Sequence, residues 1–157
     1  MINREILIKY EEYDSIDELN PEDRDLAAEA IKAMEGAYAP YSYFHVGAAV
    51  RLSNGQIVRG ANQENAAFPS GLCAERTAMF AAGARYPDQD ILSIALAGGT
   101  LGQLGDQPAT PCGACRQVMA QYQAKSGKPM SVIMISSDKV WKFEKVDDIL
   151  PLIFNSI

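Results

Sequence analysis

Histidine occurs once in this chain, as His45, and cysteine three times, as Cys73, Cys112 and Cys115. A lone histidine leaves little besides carboxylates and thiols to move a proton near neutral pH, and it offers a metal a single nitrogen. Three thiols cannot pair into a closed disulfide set, so they read as structural, redox-active or metal-binding. No apolar run approaches the roughly 20 residues of a membrane span. The opening "MINREILIKYEEYDSIDELNPED" is charged and lacks the apolar stretch and cleavage site of an export signal. A cytoplasmic protein with no membrane partner is expected. Basic residues are also scarce: 14 Lys and Arg stand against 20 Asp and Glu, giving a net charge of −6 and a pI near 4.8. Binding to phosphate backbones needs clustered positive charge, so a small molecule is a better partner than a nucleic acid.

At 157 residues, 48% hydrophobic and 22% charged, the chain fits one globular domain over 1–157, with 1–20 as an N-terminal extension. Asn20-Pro21 opens a helix: Asn20 suits the cap, Pro21 the first turn, and Leu26, Ala27, Ala30, Ile31, Met34 and Ala37 recur at helical spacing before Pro40. His45 to Leu52 and Gln56 to Asn62 read as strands joined by a Ser53-Asn54-Gly55 turn. A helix is expected over Leu72 to Tyr86, a buried strand over Ile91 to Ala97, and a loop from Gly98 to Thr110. A further helix follows at Ala114 to Ala124, then strands at Met130 to Ser136 and Val140 to Val146, with a short last helix to Leu150. Helices falling between strands throughout predict a single mixed sheet with helices on both faces.

The stretches "GLCAERTA" and "TPCGACRQ" place all three thiols at the starts of expected helices. There, free N–H groups and a partial positive charge favour thiolate. Cys112 and Cys115, three apart, can share one face of a first turn. A third thiolate from another helix would complete a three-sulfur zinc site whose fourth position stays open, the catalytic rather than the structural pattern. Glu75 lies two residues from Cys73, so the two share a site only end-on at the helix start, with Cys73 at the boundary. Glu75 is then the acid/base, and Arg76 or Arg116 offsets the thiolate charge. Read alone, Cys112-Gly-Ala-Cys115 is equally a dithiol redox pair. Cys73-Ala-Glu75 together with Pro111 tips the balance to a catalytic zinc of the deaminase type, a pairing already documented for zinc deaminases.

These residues resemble the small homo-oligomeric cytidine deaminases. "AYAPYSYFHVGAAV", "GANQENAAFPSGLCAERTA", "TPCGACRQVM" and the tail "ILPLIF" stand in that family's order and spacing, from about Ala27 to Phe154. The resemblance implies an α/β fold, a three-layer α/β/α sandwich around a central five-stranded mixed sheet, assembled as a homotetramer. It implies one Zn2+ per chain held by Cys73, Cys112 and Cys115, with Glu75 catalytic and Arg76 compensating charge. It further implies a nucleoside held by Asn62 and Glu64 at the ribose 3′-hydroxyl, by Phe44 against the pyrimidine and by the backbone of Ala74 at its carbonyl. Phe154 would reach a neighbouring subunit's site. The activity implied is hydrolytic deamination of cytidine or deoxycytidine, a step of pyrimidine salvage.

Two positions depart from the pattern. His45 stands where proline is frequent, and Phe68 stands where a tyrosine would offer the nucleoside 5′-hydroxyl a partner. The loop before Pro111 is also longer than expected. Two other readings compete: an antibiotic deaminase of the blasticidin type, against which Asn62-x-Glu64-Asn65 speaks, and a zinc or dithiol binding module without catalysis.

Overall fold

Asn20 caps the first helix as its sequence predicts: its Oδ1 accepts from Asp23 N–H at 2.9 Å, and its Nδ2 donates to Asp23 Oδ2 at 2.7 Å. Pro21 takes the first position of this helix, α1, which runs Pro21–Ala33. Asp23 is buried and is neutralised by Lys142 Nζ at 3.0 Å, which ties the start of α1 to the sheet beneath it. Burial alone would push the Lys142 pKa down, but the hydrogen bonds and charges of Asp23 and Glu144 outweigh it and hold it up. The computed structural model describes residues 1–155. The last two residues of the domain expected over 1–157 lie outside the described residues.

The remaining elements are β1 (Glu11–Tyr13), β2 (Phe44–Leu52), β3 (Ile57–Ala61), α2 (Ala74–Arg85), β4 (Ile91–Thr100), α3 (Gly113–Ser126), β5 (Ser131–Ile135) and β6 (Val140–Phe143). Short 3-10 turns at Ile16–Glu18, Met34–Gly36, Phe68–Ser70 and Val146–Asp148 link them. They form one sheet of order β1-β6-β5-β4-β2-β3, in which β4 and β5 are parallel and all other pairs antiparallel. The period of two along each strand sorts the core into halves. Ala48 and Val50, Ile94 and Leu96, Val132 and Met134 face Met79 and Ala82 of α2 and Met119 of α3. Ala49, Ala95, Ala97, Ile133 and Ile135 face Leu26, Ala27 and Ala30 of α1. This is the three-layer mixed-sheet architecture expected, with six strands instead of five.

The extra strand comes from the segment read as an irregular lead-in. Glu11, Glu12 and Tyr13 pair with Lys142, Trp141 and Val140. Three residues are too few to display a period, so pattern could not reveal the strand. It is held by side chains: the Tyr10 ring stacks on Phe143 at 5.1 Å and meets Trp141 edge-on at 5.6 Å, while Trp141 Nε1 donates to Glu12 Oε2 at 2.6 Å.

Most other boundaries move by one or two residues, but β6 ends at Phe143, three residues short of the Val146 expected, where the chain turns into the 3-10 segment Val146–Asp148. In the other direction, β4 continues through Gly98 and Gly99 to Thr100. Gly60 on β3 fixes the height of α2. A Cβ there would lie 2.3 Å from the Ala78 nitrogen, so only glycine lets the helix backbone press onto the strand.

Candidate active site

Two helix starts converge at one end of the sheet. Cys73 is the N-cap of α2 and Cys112 the N-cap of α3, and neither sulfur caps its own helix with a hydrogen bond. Each helix thereby forgoes a Ser, Thr, Asp or Asn cap worth about 1 kcal/mol, leaving the sulfur free to face outward. Cys115, one turn into α3, is buried beneath them. The Cys73 and Cys112 sulfurs are 3.9 Å apart, and all three lie within 4.8 Å of one another. Two sulfurs bound at ~2.3 Å to a tetrahedral zinc ion are separated by ~3.8 Å, so this cage fits zinc without rearrangement of the helices.

The charges suit a cation. A hydrogen bond with Cys115 holds the Cys73 thiol down at about 5 against the cost of burial, with Arg76 and Cys112 contributing in the same direction. Arg76 places Nη2 3.4 Å from the Cys73 sulfur, and that contact raises its own pKa. The Cys115 thiol is pushed up by the same hydrogen bond to Cys73, by burial and by the negative charge of Glu75. A metal ion reverses this last effect, because thiol ligands are bound as thiolates.

Beside the cage is a cavity of about 290 Å³ lined by Phe44, Val46, Asn62, Cys73, Ala74, Glu75, Leu96, Ala109, Thr110 and Cys112. Glu75 is 4% exposed. Desolvation pushes its carboxyl above the usual carboxylate range, opposed by its own backbone N–H and reinforced by the Cys73 charge. A buried carboxyl whose proton is held more tightly than usual is suited to act as both acid and base in a proton relay. Ala74, the first residue of α2, has an N–H with no acceptor within the helix, at the cavity wall.

Asn62 continues the β2–β3 ladder with its side chain: Val46 N–H donates to Oδ1 and Nδ2 donates to the Phe44 carbonyl, both at 2.8 Å. Phe44, 41% exposed, is held so that its ring forms part of the wall. Glu64 stands just outside the lining residues. Its Oε2 accepts from the N–H groups of Tyr41 (2.8 Å) and Ser42 (3.3 Å), and its Oε1 from the Ser42 hydroxyl. Those donors, the Ser42 hydroxyl foremost, hold its carboxyl below the usual range.

Among the expected site residues, then, Phe44, Asn62, Cys73, Ala74, Glu75 and Cys112 meet around one cavity, with Cys115 behind it and Arg76 against the sulfurs. Phe154 does not enter this cavity. It is 66% exposed beside α3, where the Gln117 side chain donates to its carbonyl at 2.7 Å and accepts from its N–H at 3.3 Å. Arg116, the alternative charge partner, donates to the carbonyls of Pro111 and Ile149, both at 2.8 Å, and so braces the approach to Cys112 instead of a sulfur. Phe68 is exposed and meets Tyr41 edge-on at 6.0 Å. His45 is an ordinary residue of β2. A larger cleft of about 370 Å³ lies between α3 and residues 153–155, but it contains no thiol and no buried acid. Val46, Leu96, Ala109 and Thr110 were not foreseen in the wall. The strand period could have shown Val46 and Leu96, since they share a face with Ala48, Val50 and Ile94.

The chain matches the family model for the cytidine and deoxycytidylate deaminase zinc-binding region over residues 20–128. It is 50% identical over 98 residues to a cytidine deaminase of Halalkalibacterium halodurans, covering 61% of this chain and 68% of that protein. A cytidine deaminase of Sporosarcina psychrophila is 46% identical over 100 residues, or 62% and 67% of the two chains. Among solved structures, the cytidine deaminase of Burkholderia pseudomallei superposes with a TM-score of 0.69 at 39% identity, spanning 83% of this chain and 97% of that one. The Mycobacterium tuberculosis enzyme gives 0.66 at 30% identity over 83% and 95%. Among the described residues no helix is long and apolar enough to cross a membrane. With the family model spanning both helix starts that build the sulfur cage, the chain belongs to the cytidine and deoxycytidylate deaminase family.

Proposed function

We propose that this protein deaminates cytidine or deoxycytidine hydrolytically: water adds to C4, and the uracil nucleoside and ammonia are the products. The observation that carries this reading is the placement of the buried Glu75 carboxyl in the same cavity as the sulfur cage. Cys73, Cys112 and Cys115 would hold one Zn2+, which when bound supplies Lewis acidity to a water molecule. Glu75 takes a proton from the attacking water and delivers it to N3, making C4 electrophilic. It then carries the second proton to the exocyclic amine, the C4–N bond breaks and ammonia leaves.

Phe44 packs against the pyrimidine, and the Ala74 N–H donates to its carbonyl. Asn62 and Glu64 hold the ribose 3′-hydroxyl, which needs both a donor and an acceptor. Arg76 offsets the thiolate charge. We further propose a cytoplasmic homo-oligomer, four-membered by family resemblance, in which Phe154 completes a neighbour's site. In each subunit residues 1–157 form one domain whose first 20 residues are an extension.

The test is direct. Purified protein of measured zinc content is incubated with cytidine, deoxycytidine and blasticidin S, and ultraviolet change and ammonia release are followed. Turnover of the nucleosides at one zinc per chain is expected. Turnover of the antibiotic alone, or none with zinc fully loaded, overturns the assignment.

A further inference from the structure

We propose that Ser42 is a positioning residue for nucleoside recognition, its hydroxyl setting the Glu64 carboxylate and the Phe44 backbone in one fixed arrangement. This deepens the reading above, because it rests on Glu64 binding the sugar hydroxyl. The Ser42 hydroxyl does two things at once. It donates to Glu64 Oε1 and accepts from the Phe44 N–H at 3.0 Å. Residues assigned to the two ends of a nucleoside, sugar and base, therefore share one oxygen.

Lone-pair counting shows what that oxygen controls. A carboxylate offers about four acceptor positions, two per oxygen. Oε2 of Glu64 has both filled by the N–H groups of Tyr41 and Ser42, and Oε1 has one filled by the Ser42 hydroxyl. One position remains for a ligand hydroxyl, on the oxygen that Ser42 orients.

This turn is held chiefly by polar contacts. Tyr41, Tyr43 and Phe44 are 50%, 57% and 41% exposed, so packing contributes little. Tyr43 sits at φ 57°, in the left-handed region, and Leu101, whose N–H donates to the Tyr43 carbonyl at 2.8 Å, is left-handed too. A turn carrying such a residue keeps its shape only if polar contacts over-determine it. Those contacts are the ones to Glu64 and within the turn, together with the Tyr43 N–H to Ala39 carbonyl bond at 3.0 Å, the bond from Leu101 and that from Asn62 to the Phe44 carbonyl. The depressed pKa of the Glu64 carboxyl, with the Ser42 hydroxyl as its main cause, agrees with this geometry.

The experiment compares Ser42→Ala, Ser42→Thr and Glu64→Gln with the parent as full-length, zinc-loaded protein. The substrates are cytidine and its analogue lacking the 3′-hydroxyl. Losing a hydrogen bond that aims a charged acceptor is worth about tenfold. Ser42→Ala should therefore raise KM for cytidine about tenfold with kcat within about threefold, and shrink the kcat/KM preference for the 3′-hydroxyl by about the same factor. Ser42→Thr, which keeps the hydroxyl, should restore both. If Glu64→Gln abolishes the preference while Ser42→Ala leaves it intact, the positioning role is refuted and the Glu64 assignment stands. If Glu64→Gln leaves the preference intact, both fall. A Ser42→Ala variant that loses only melting temperature or kcat is likewise a refutation, since a merely structural turn would behave that way.

Discussion

Replacing Glu75 with glutamine separates chemistry from architecture more cleanly than any other change to this site. Glutamine keeps the shape but cannot carry a proton. Apart from Glu75, the cavity is lined by Phe44, Val46, Asn62, Ala74, Leu96, Ala109 and Thr110 and by two sulfurs committed to the cage. No substitute acid or base is in place. General acid–base catalysis contributes ~10²–10⁴-fold, and the absence of a backup puts the expected loss at the upper end. A fall of about 10⁴ in kcat corresponds to about 5.4 kcal/mol of barrier.

Stability should move the other way. The folded-state pKa of Glu75 is raised by desolvation, so the ionised group opposes folding at every pH above its unfolded value of about 4.3. That penalty grows as pH climbs to the folded pKa and is constant beyond it. An uncharged amide removes it, and at pH 7 the variant should melt no lower than the parent. The assays are ammonia release, elemental zinc and a thermal melt on one preparation. Activity within tenfold of the parent at one zinc per chain refutes the proton-transfer role. Activity lost together with zinc or with the fold would make Glu75 a scaffold residue.

Cys112→Ser should lower bound zinc from one per chain to a small fraction after dialysis against a chelator, because two sulfurs remain of three; elemental analysis reads the outcome. Gly60→Ala puts a Cβ 2.3 Å from the Ala78 nitrogen and must lift α2 from the sheet. Overpacking of this kind costs about 1–3 kcal/mol and should displace the urea midpoint downward while also weakening zinc retention, since α2 carries Cys73. Met119→Ala, at a fully buried position, should cost about 2–5 kcal/mol in the same titration without changing zinc content. Removing residues 1–13 should shift the emission of Trp141, the sole tryptophan, to the red, because Tyr10 and Glu12 no longer cover it.

Local signals in the sequence were reliable where the physics is local. The cap at Asn20 and the turn at Gly55 were both legible from a few adjacent residues. The end-on placement of Cys73 followed from a parity argument: side chains two apart on a helix diverge, so Cys73 had to be the boundary residue, and it is the N-cap. Closure of the cage was not legible from spacing, because Cys73 and Cys112 are 39 residues apart and nothing in either stretch encodes their meeting. It came from resemblance. Ser42 escaped notice for the same reason, its partner Glu64 lying 22 residues away. β1 was hidden by its brevity. The continuation of β4 through two glycines was hidden by their usual role as breakers. Here a Cβ on Gly99 would fall 1.7 Å from the Gln103 carbonyl oxygen, so glycine is required for the following loop to fold back against the strand.

The short strand contributed by Glu11–Tyr13 bears on how these molecules behave in a crowded solution. Without it, β6 would present a row of unpaired amides flanked by Trp141 and Phe143, an adhesive margin for any extended polypeptide. With it, the outermost margin on that side is three residues long and opens with two carboxylates, which repel a like-charged copy and give an incoming segment little to zip onto. The same few residues that escape detection by pattern thus act as a guard against precipitation.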